Sequence, residues 1–211
     1  MFYKYILTTF TLTLAFFQTI AQTDTVQFQT KYGDFDVVLY DFTPHHKALF
    51  LEQIADNKYK KALFNRIVKD FVVQGGEHDE AIAALEAKQG YQQPRLAPEF
   101  NEKAFHKIGA LGAGRDNNTT KASFENQIYF VVGKPYTVAE LDNLLLKHSK
   151  NISPERRQYY LKNGGLPRLD NDYTVFGEIT NGLDVILRIS QLAVDKQHYP
   201  IKKVRFKVKR K

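Results

Sequence analysis

The chain has 211 residues, of which 43% are hydrophobic, 25% charged and 13% aromatic, a globular composition that excludes disorder of the whole. Cysteine is absent, which excludes disulfides, thiolate metal sites, a cysteine nucleophile and a lipidated bacterial N-terminus. Seven Lys and Arg with no acid lie in residues 202–211 and equal the whole net charge of +7, so the body is near neutral and no nucleic-acid partner is expected.

Residues 1–21 read as an export signal. Lys4 gives the basic start, residues 6–20 are mostly apolar, and the small Ala21 precedes an expected cleavage before Gln22. Fifteen residues that include several Thr and a Gln fall short of the roughly 20 apolar residues a spanning helix needs. The expectation is a mature, periplasmic chain of residues 22–211, with no stable membrane insertion after cleavage.

Val26, Phe28 and Thr30, then Phe35, Val37 and Leu39, alternate on either side of Tyr32-Gly33-Asp34 and predict two strands around that turn. Thr43-Pro44 opens a helix with Ala48, Leu49, Leu51 and Ile54 on its inner face. Residues 62–73 are strand-rich and end at Gly75-Gly76, and residues 81–88 are helical. Strands follow at 110–114, 128–132 and 174–179, then a short helix at 184–191. Val204, Phe206 and Val208 alternate with Arg205, Lys207 and Lys209, which predicts the last strand of a barrel or sheet with its cations in water, where Lys on an edge would also discourage pairing with another chain. Between two of these strands the capping box Thr137-Val138-Ala139-Glu140 starts one helix. Ser153-Pro154-Glu155 starts another that stops at Asn163-Gly164-Gly165. Residues 134–167 therefore read as a helical hairpin inserted into a single β-rich domain.

The chemistry is concentrated in Phe64-Asn65-Arg66-Ile67-Val68-Lys69-Asp70-Phe71-Val72-Val73-Gln74-Gly75-Gly76. An Arg among apolar strand residues is expensive to face inward unless its charge is used. By alternation Arg66 shares a face with Phe64 and Val68, and the turn near Lys69-Asp70 brings Phe71 and Gln74 towards it. One cation beside aromatics and a primary amide makes a poor metal site and a poor hydrolase. It suits a peptide, with an apolar pocket for a side chain and polar groups for the backbone. On this local pattern alone, an Arg snorkelling from a barrel strand explains the segment equally well.

The segment resembles the cyclophilin family of peptidyl-prolyl isomerases, whose pattern runs Phe-His-Arg-hydrophobic-hydrophobic-x-Gly-Phe-Met-x-Gln-Gly-Gly. The likeness continues in order through Thr30-x-x-Gly33, Thr43-Pro44 with Phe50, Glu99-Phe100, Gly109-Ala110-Leu111, Asn126-Gln127-Ile128-Tyr129-Phe130 and 169–177 (LDNDYTVFG). It implies a closed eight-stranded antiparallel barrel capped by two helices, with 134–167 as an insertion. It implies Arg66 as the catalytic residue, and Phe71, Val72, Tyr129 and Leu169 as the lining of a proline pocket. Gln74 would bond the substrate backbone, Gly114, Arg115 and Gln127 would border the neighbouring subsite, and Tyr173 would replace a rim histidine. The implied partners are proline-containing exported polypeptides, bound by a monomer without cofactor or metal. A non-catalytic binding module that uses the inserted hairpin is the alternative reading.

The departures are Asn65 for His, Lys69-Asp70 for a turn pair ending in Gly, Val72 for Met, and Arg115 for Asn. Arg168 stands in place of a rim Trp or Phe tied to cyclosporin binding, so weak binding of that drug is expected. Because the insert runs directly into Leu169, it is expected to border the pocket and to restrict or extend the substrate groove. His45-His46 is read as a solvated helix start, His78-Asp79-Glu80 as a polar loop, and Glu155-Arg156-Arg157 as a charged helix face.

Overall fold

The structure, a computed structural model, describes residues 24–211; the expected signal segment lies outside them. Eight strands close into an antiparallel barrel: β1 (Thr25–Thr30), β2 (Gly33–Leu39), β3 (Ala62–Val68), β4 (Val72–Gly76), β6 (Ala110–Ala113), β8 (Gln127–Val131), β9 (Val175–Asn181) and β10 (Val204–Arg210). Their order around the barrel is β1-β10-β3-β4-β8-β6-β9-β2. The short strands β5 (Arg95–Leu96) and β7 (Ser123–Phe124) pair with each other outside it. Helices α1 (Pro44–Ala55) and α5 (Leu183–Ile189) cap the barrel, α2 (Asp79–Gln89) follows β4, and α3 (Val138–Lys147) and α4 (Pro154–Asn163) lie between β8 and β9. Among the described residues no helix is long and apolar enough to cross a membrane.

The barrel is filled by its alternating residues. Phe28 stacks on Phe35 at 4.9 Å and meets Phe130 edge-on at 5.0 Å, while Phe64 stacks on Phe206 at 4.4 Å. Such pairs contribute about 0.5–1.5 kcal/mol each beyond the apolar area they bury. Val204 and Phe206 of the basic last strand face this core and its Lys and Arg face water. As the last strand it closes the barrel, because β10 pairs with β1 on one side and β3 on the other. Its lysines therefore have no edge to protect.

Three further expectations shift. The first hairpin turns at Lys31-Tyr32 rather than over 32–34, because Thr30 pairs with Gly33 across a two-residue loop. On α1, Ala48 is exposed, and the buried positions are His46, Phe50 and Gln53. The third is the alternation through Arg66. A bulge between Phe64 and Arg66 breaks the register, so Phe64 and Ile67 both enter the core and Arg66 emerges on the outside of the barrel. One extra residue re-aims every side chain after it.

Candidate functional site

The bulge aligns a row of side chains across neighbouring strands. Arg66 of β3 lies opposite Gln74 of β4, which lies opposite Tyr129 of β8, which lies opposite Gly112 of β6. Directly opposed residues of antiparallel strands share a face, so these groups point together to one side. Val72, two residues before Gln74, joins them by strand periodicity. Phe71 sits at the tip of the β3–β4 loop. There Asp70 adopts a left-handed φ of 56°, and the Phe71 carbonyl accepts from the N–H groups of Val132 and Gly133 at 2.9 and 3.1 Å.

A cleft of about 670 Å³ opens over this row. Arg66, Phe71, Val72, Gln74, Gly114, Arg115, Gln127, Tyr129, Leu169 and Tyr173, all expected from sequence, line it. Glycine is needed beneath two of them: a Cβ on Gly112 would lie 2.2 Å from the Tyr129 ring, and one on Gly114 would lie 1.9 Å from the Gln127 amide oxygen. Tyr129 is buried, and burial, with the neighbouring Tyr173 and Asp170 charges, pushes its phenol well above the ordinary 10.0, so it stays protonated. Its hydroxyl is 2.8 Å from Nε2 of His106, behind the cleft wall.

Two polar groups of the cleft lack partners in the protein. Nε2 of Gln74 is buried without a hydrogen-bond partner, a state that costs about 1–3 kcal/mol until something accepts from it. Among the described residues the Arg66 guanidinium has no carboxylate or hydrogen-bond partner in the protein. Beside them Val72, Leu169, Tyr129 and the Phe71 ring form an apolar wall.

The rim is cationic on one side and acidic on the other. Arg168 lies over the Phe71 ring at 4.5 Å. Arg115 lies over Tyr173 at 4.5 Å and donates through Nε to the carbonyl of Asp172 at 2.6 Å. Lys150, between α3 and α4, holds the same loop by donating to Asp172 Oδ2 at 2.6 Å and to the Asp170 carbonyl at 2.7 Å. At the far end stand residues that the sequence reading set aside. His78, Asp79 and Glu80 form no loop: His78 caps α2, and all three line the cleft with Gln197, His198 and Tyr199. Asp79 also accepts from the Gln127 amide.

Other corrections concern residues beyond the cleft. No side chain of residues 134–167 lines it, so the insert lies behind the pocket and reaches its rim only through Lys150. Within the charged face of α4, Arg156 is partly covered, since its guanidinium packs on Phe105 at 5.5 Å and donates to the Glu102 carbonyl. His46 is only 4% exposed; its Nδ1–H donates to Glu99 Oε2 at 2.6 Å and its Nε2 accepts from Ser123 at 3.2 Å. Burial lowers the His46 pKa below 6.5 despite the carboxylate. Burial also pushes Glu99 up, but the N–H donors of His46 and His45 outweigh it and the pKa falls below 4.5. Neutral imidazole and charged carboxylate are thus the stable forms. The partner lies 53 residues away along the chain, so no local spacing could reveal it.

A family model described as cyclophilin type peptidyl-prolyl cis-trans isomerase/CLD matches residues 25–209. A Staphylococcus saprophyticus protein named for peptidyl-prolyl cis-trans isomerase activity is 28% identical over 165 residues, covering 78% of this chain and 79% of its own. A peptidyl-prolyl cis-trans isomerase of Arabidopsis thaliana is 27% identical over 181 residues, covering 85% of this chain and 88% of its own. In fold, the chain is similar to the crystal structure of a Cryptosporidium parvum cyclophilin-type isomerase, with a TM-score of 0.64 at 18% identity over 90% of this chain and 98% of that one.

Proposed function

We infer that this chain, which belongs to the cyclophilin-type peptidyl-prolyl cis-trans isomerase family, rotates X–Pro bonds in exported, partly folded polypeptides, with Arg66 as its catalytic residue. Peptidyl-prolyl isomerisation is the activity of the family; the exported clients and the roles of single residues are the proposal. The observation that carries it is the pairing of Arg66 with Gln74 across β3 and β4, two polar groups without protein partners beside an apolar wall.

An X–Pro amide resists rotation by about 18–20 kcal/mol because resonance gives the C–N bond double-bond character. Unaided exchange takes roughly tens to hundreds of seconds. No bond is made or broken, so binding alone can supply the catalysis. As the amide twists, its nitrogen becomes pyramidal and its lone pair localises and accepts a hydrogen bond. A guanidinium aimed at that nitrogen stabilises the twisted form over both planar ones, the condition for rate enhancement. Phe71, Val72, Tyr129 and Leu169 hold the proline ring and exclude water. Gln74 donates its free N–H to a substrate carbonyl, while Gly114, Arg115, Gln127 and Tyr173 take the flanking residues. An acceleration of about 10⁵ requires close to 7 kcal/mol. One charge-assisted hydrogen bond contributes about 1.5–3 kcal/mol, so positioning and water exclusion carry the remainder.

The N-terminal pattern supports export: cleavage before Gln22 would leave the barrel intact, since β1 begins at Thr25. The closed barrel offers no free strand edge for pairing with another copy, which supports a monomer. A binding module built on the inserted hairpin has less support, because that hairpin contributes no side chain to the cleft. The test has two arms. The chain without residues 1–21 is expected to accelerate isomerisation of a short Ala–Pro peptide, and the full-length chain to appear in the periplasmic fraction with Gln22 at its N-terminus. Absent acceleration overturns the site reading; an uncut cytosolic chain overturns export.

A further inference from the structure

The two inserted helices lie behind the cleft, yet one of them reaches its floor through four buried groups. Tyr160 of α4 is 0% exposed, and its hydroxyl donates to Oδ2 of Asp170 at 2.8 Å. The other oxygen, Oδ1, accepts from the backbone N–H of His106 at 3.0 Å and from its Nδ1–H at 2.8 Å. His106 Nε2 then meets the Tyr129 hydroxyl at 2.8 Å. His106 and Asp170 are 1% and 3% exposed.

The proton positions follow from the inventory of donors. A carboxylate only accepts, so Nδ1 of His106 donates to Asp170 and Nε2 is left to pair with the Tyr129 hydroxyl. The Tyr129 hydroxyl therefore closes a chain in which every group has a partner. Its ring is held in one setting, with the polar end turned to His106, nearly parallel to the imidazole at an interplanar angle of 8°. Swinging the ring into the cleft would break the bond to His106 and strand an imidazole nitrogen in a low-dielectric interior, where unpaired groups are costly.

The backbone is built for this approach. Gly165, at φ 139°, bridges to Lys107 and Lys134, and a Cβ there would lie 2.4 Å from the His106 carbonyl and 2.7 Å from the Tyr160 ring. The Leu166 N–H donates to that same His106 carbonyl at 2.8 Å. Arg156, one helical turn before Tyr160, adds a cation 4.0 Å from Asp170 Oδ2. The carboxylate is thus fixed from the insert side and the imidazole from the barrel side.

We propose that Tyr160 is a positioning residue for the isomerase site, acting through Asp170 and His106 to hold the Tyr129 ring against the proline-binding wall. The inserted helical pair thereby belongs to the catalytic architecture although it touches no substrate. This deepens the function proposed above and rests on Tyr129 lining the proline pocket.

The test is a double-mutant cycle on kcat/KM for a short X–Pro peptide, with Tyr160→Phe, Tyr129→Phe and the pair. Tyr160→Phe is expected to lose about fivefold when Tyr129 is intact and under about 1.5-fold in the Tyr129→Phe background, where the chain is already cut. Equal losses in both backgrounds, or none in the first, overturn the proposal. The ¹⁵N resonances of His106 read the same chain without turnover. In the wild type Nδ1 is expected to resonate as a protonated nitrogen, and in Tyr160→Phe both ring-nitrogen resonances are expected to shift; unchanged resonances overturn it. A wild type without isomerase activity defeats the proposed function and leaves this spectral arm to decide the relay. Should Tyr160→Phe fail to fold, Tyr129→Phe is read from the opposite end, where the Tyr160 ring-carbon resonance must shift; a static resonance overturns the relay.

Discussion

Replacing Gly112 by Ala tests the packing beneath the wall proposed to hold proline. A Cβ at this position would lie 2.2 Å from Cζ of Tyr129, 2.4 Å from its hydroxyl and 2.6 Å from Cε2. Ordinary carbon contacts begin near about 3.5 Å, so the ring must move by more than 1 Å or so. His106 blocks retreat of the hydroxyl, which leaves displacement into the cleft. The structure then loses the Tyr129–His106 hydrogen bond and gains overpacking, about 3 kcal/mol in total. For a domain of this size that is a fall of about 6–12 °C in Tm. The displaced ring fills the space proposed for proline, and kcat/KM is expected to drop about 10–100-fold. Calorimetry and a peptide isomerisation assay on the same preparation measure both. A variant within 2 °C or so of wild-type Tm and within about twofold in kcat/KM would refute the reasoning.

Other outcomes follow from the same geometry. Gln74→Ala removes the unpaired cleft amide and should lower kcat/KM by about tenfold, the worth of roughly 1.4 kcal/mol; stability should hold or rise, because an unpaired buried group is lost. Arg168→Trp replaces the cation over Phe71 with an apolar rim and should tighten the weak cyclosporin binding expected of this chain, as read by titration calorimetry. The His46–Glu99 pair predicts acid sensitivity with a defined order. His46 has a folded pKa below 6.5, so the unfolded chain binds more protons and stability declines as pH falls through 6.5 towards the folded value. Glu99 is depressed below 4.5, so its contribution is present above 4.5 and is lost as pH falls further. Denaturant midpoints from pH 7.5 to 4 should show both declines, and Glu99→Gln should remove the lower one.

The strands were legible because alternation is local. Val26 and Phe28, Phe35 to Leu39, and Val204 with Phe206 all carry their burial in their order. The caps of α3 and α4 were equally plain, since Thr137 and Ser153 sit three residues before the N–H groups they accept from. Alternation misplaced Arg66, because a bulge adds a residue without leaving a mark in composition. It is this bulge that takes Arg66 out of the core and into the cleft. Long-range polar pairs were invisible for a different reason: His46 meets Glu99, and His106 meets both Tyr129 and Asp170, across separations that only the folded barrel sets. The acidic end of the cleft was missed because His78, Asp79 and Glu80 show no periodicity, and their place is decided by the turn that follows Gly76.

The claim on which the account stands is that Arg66 stabilises the twisted amide more than either planar form. Arg66→Ala should be measured for both isomerisation and equilibrium binding of one X–Pro peptide by exchange NMR. The account predicts a loss of about 100-fold or more in the catalysed exchange rate, equivalent to at least about 2.7 kcal/mol, with Kd changed by less than about threefold. An unchanged exchange rate, or equal losses in rate and binding, would contradict it.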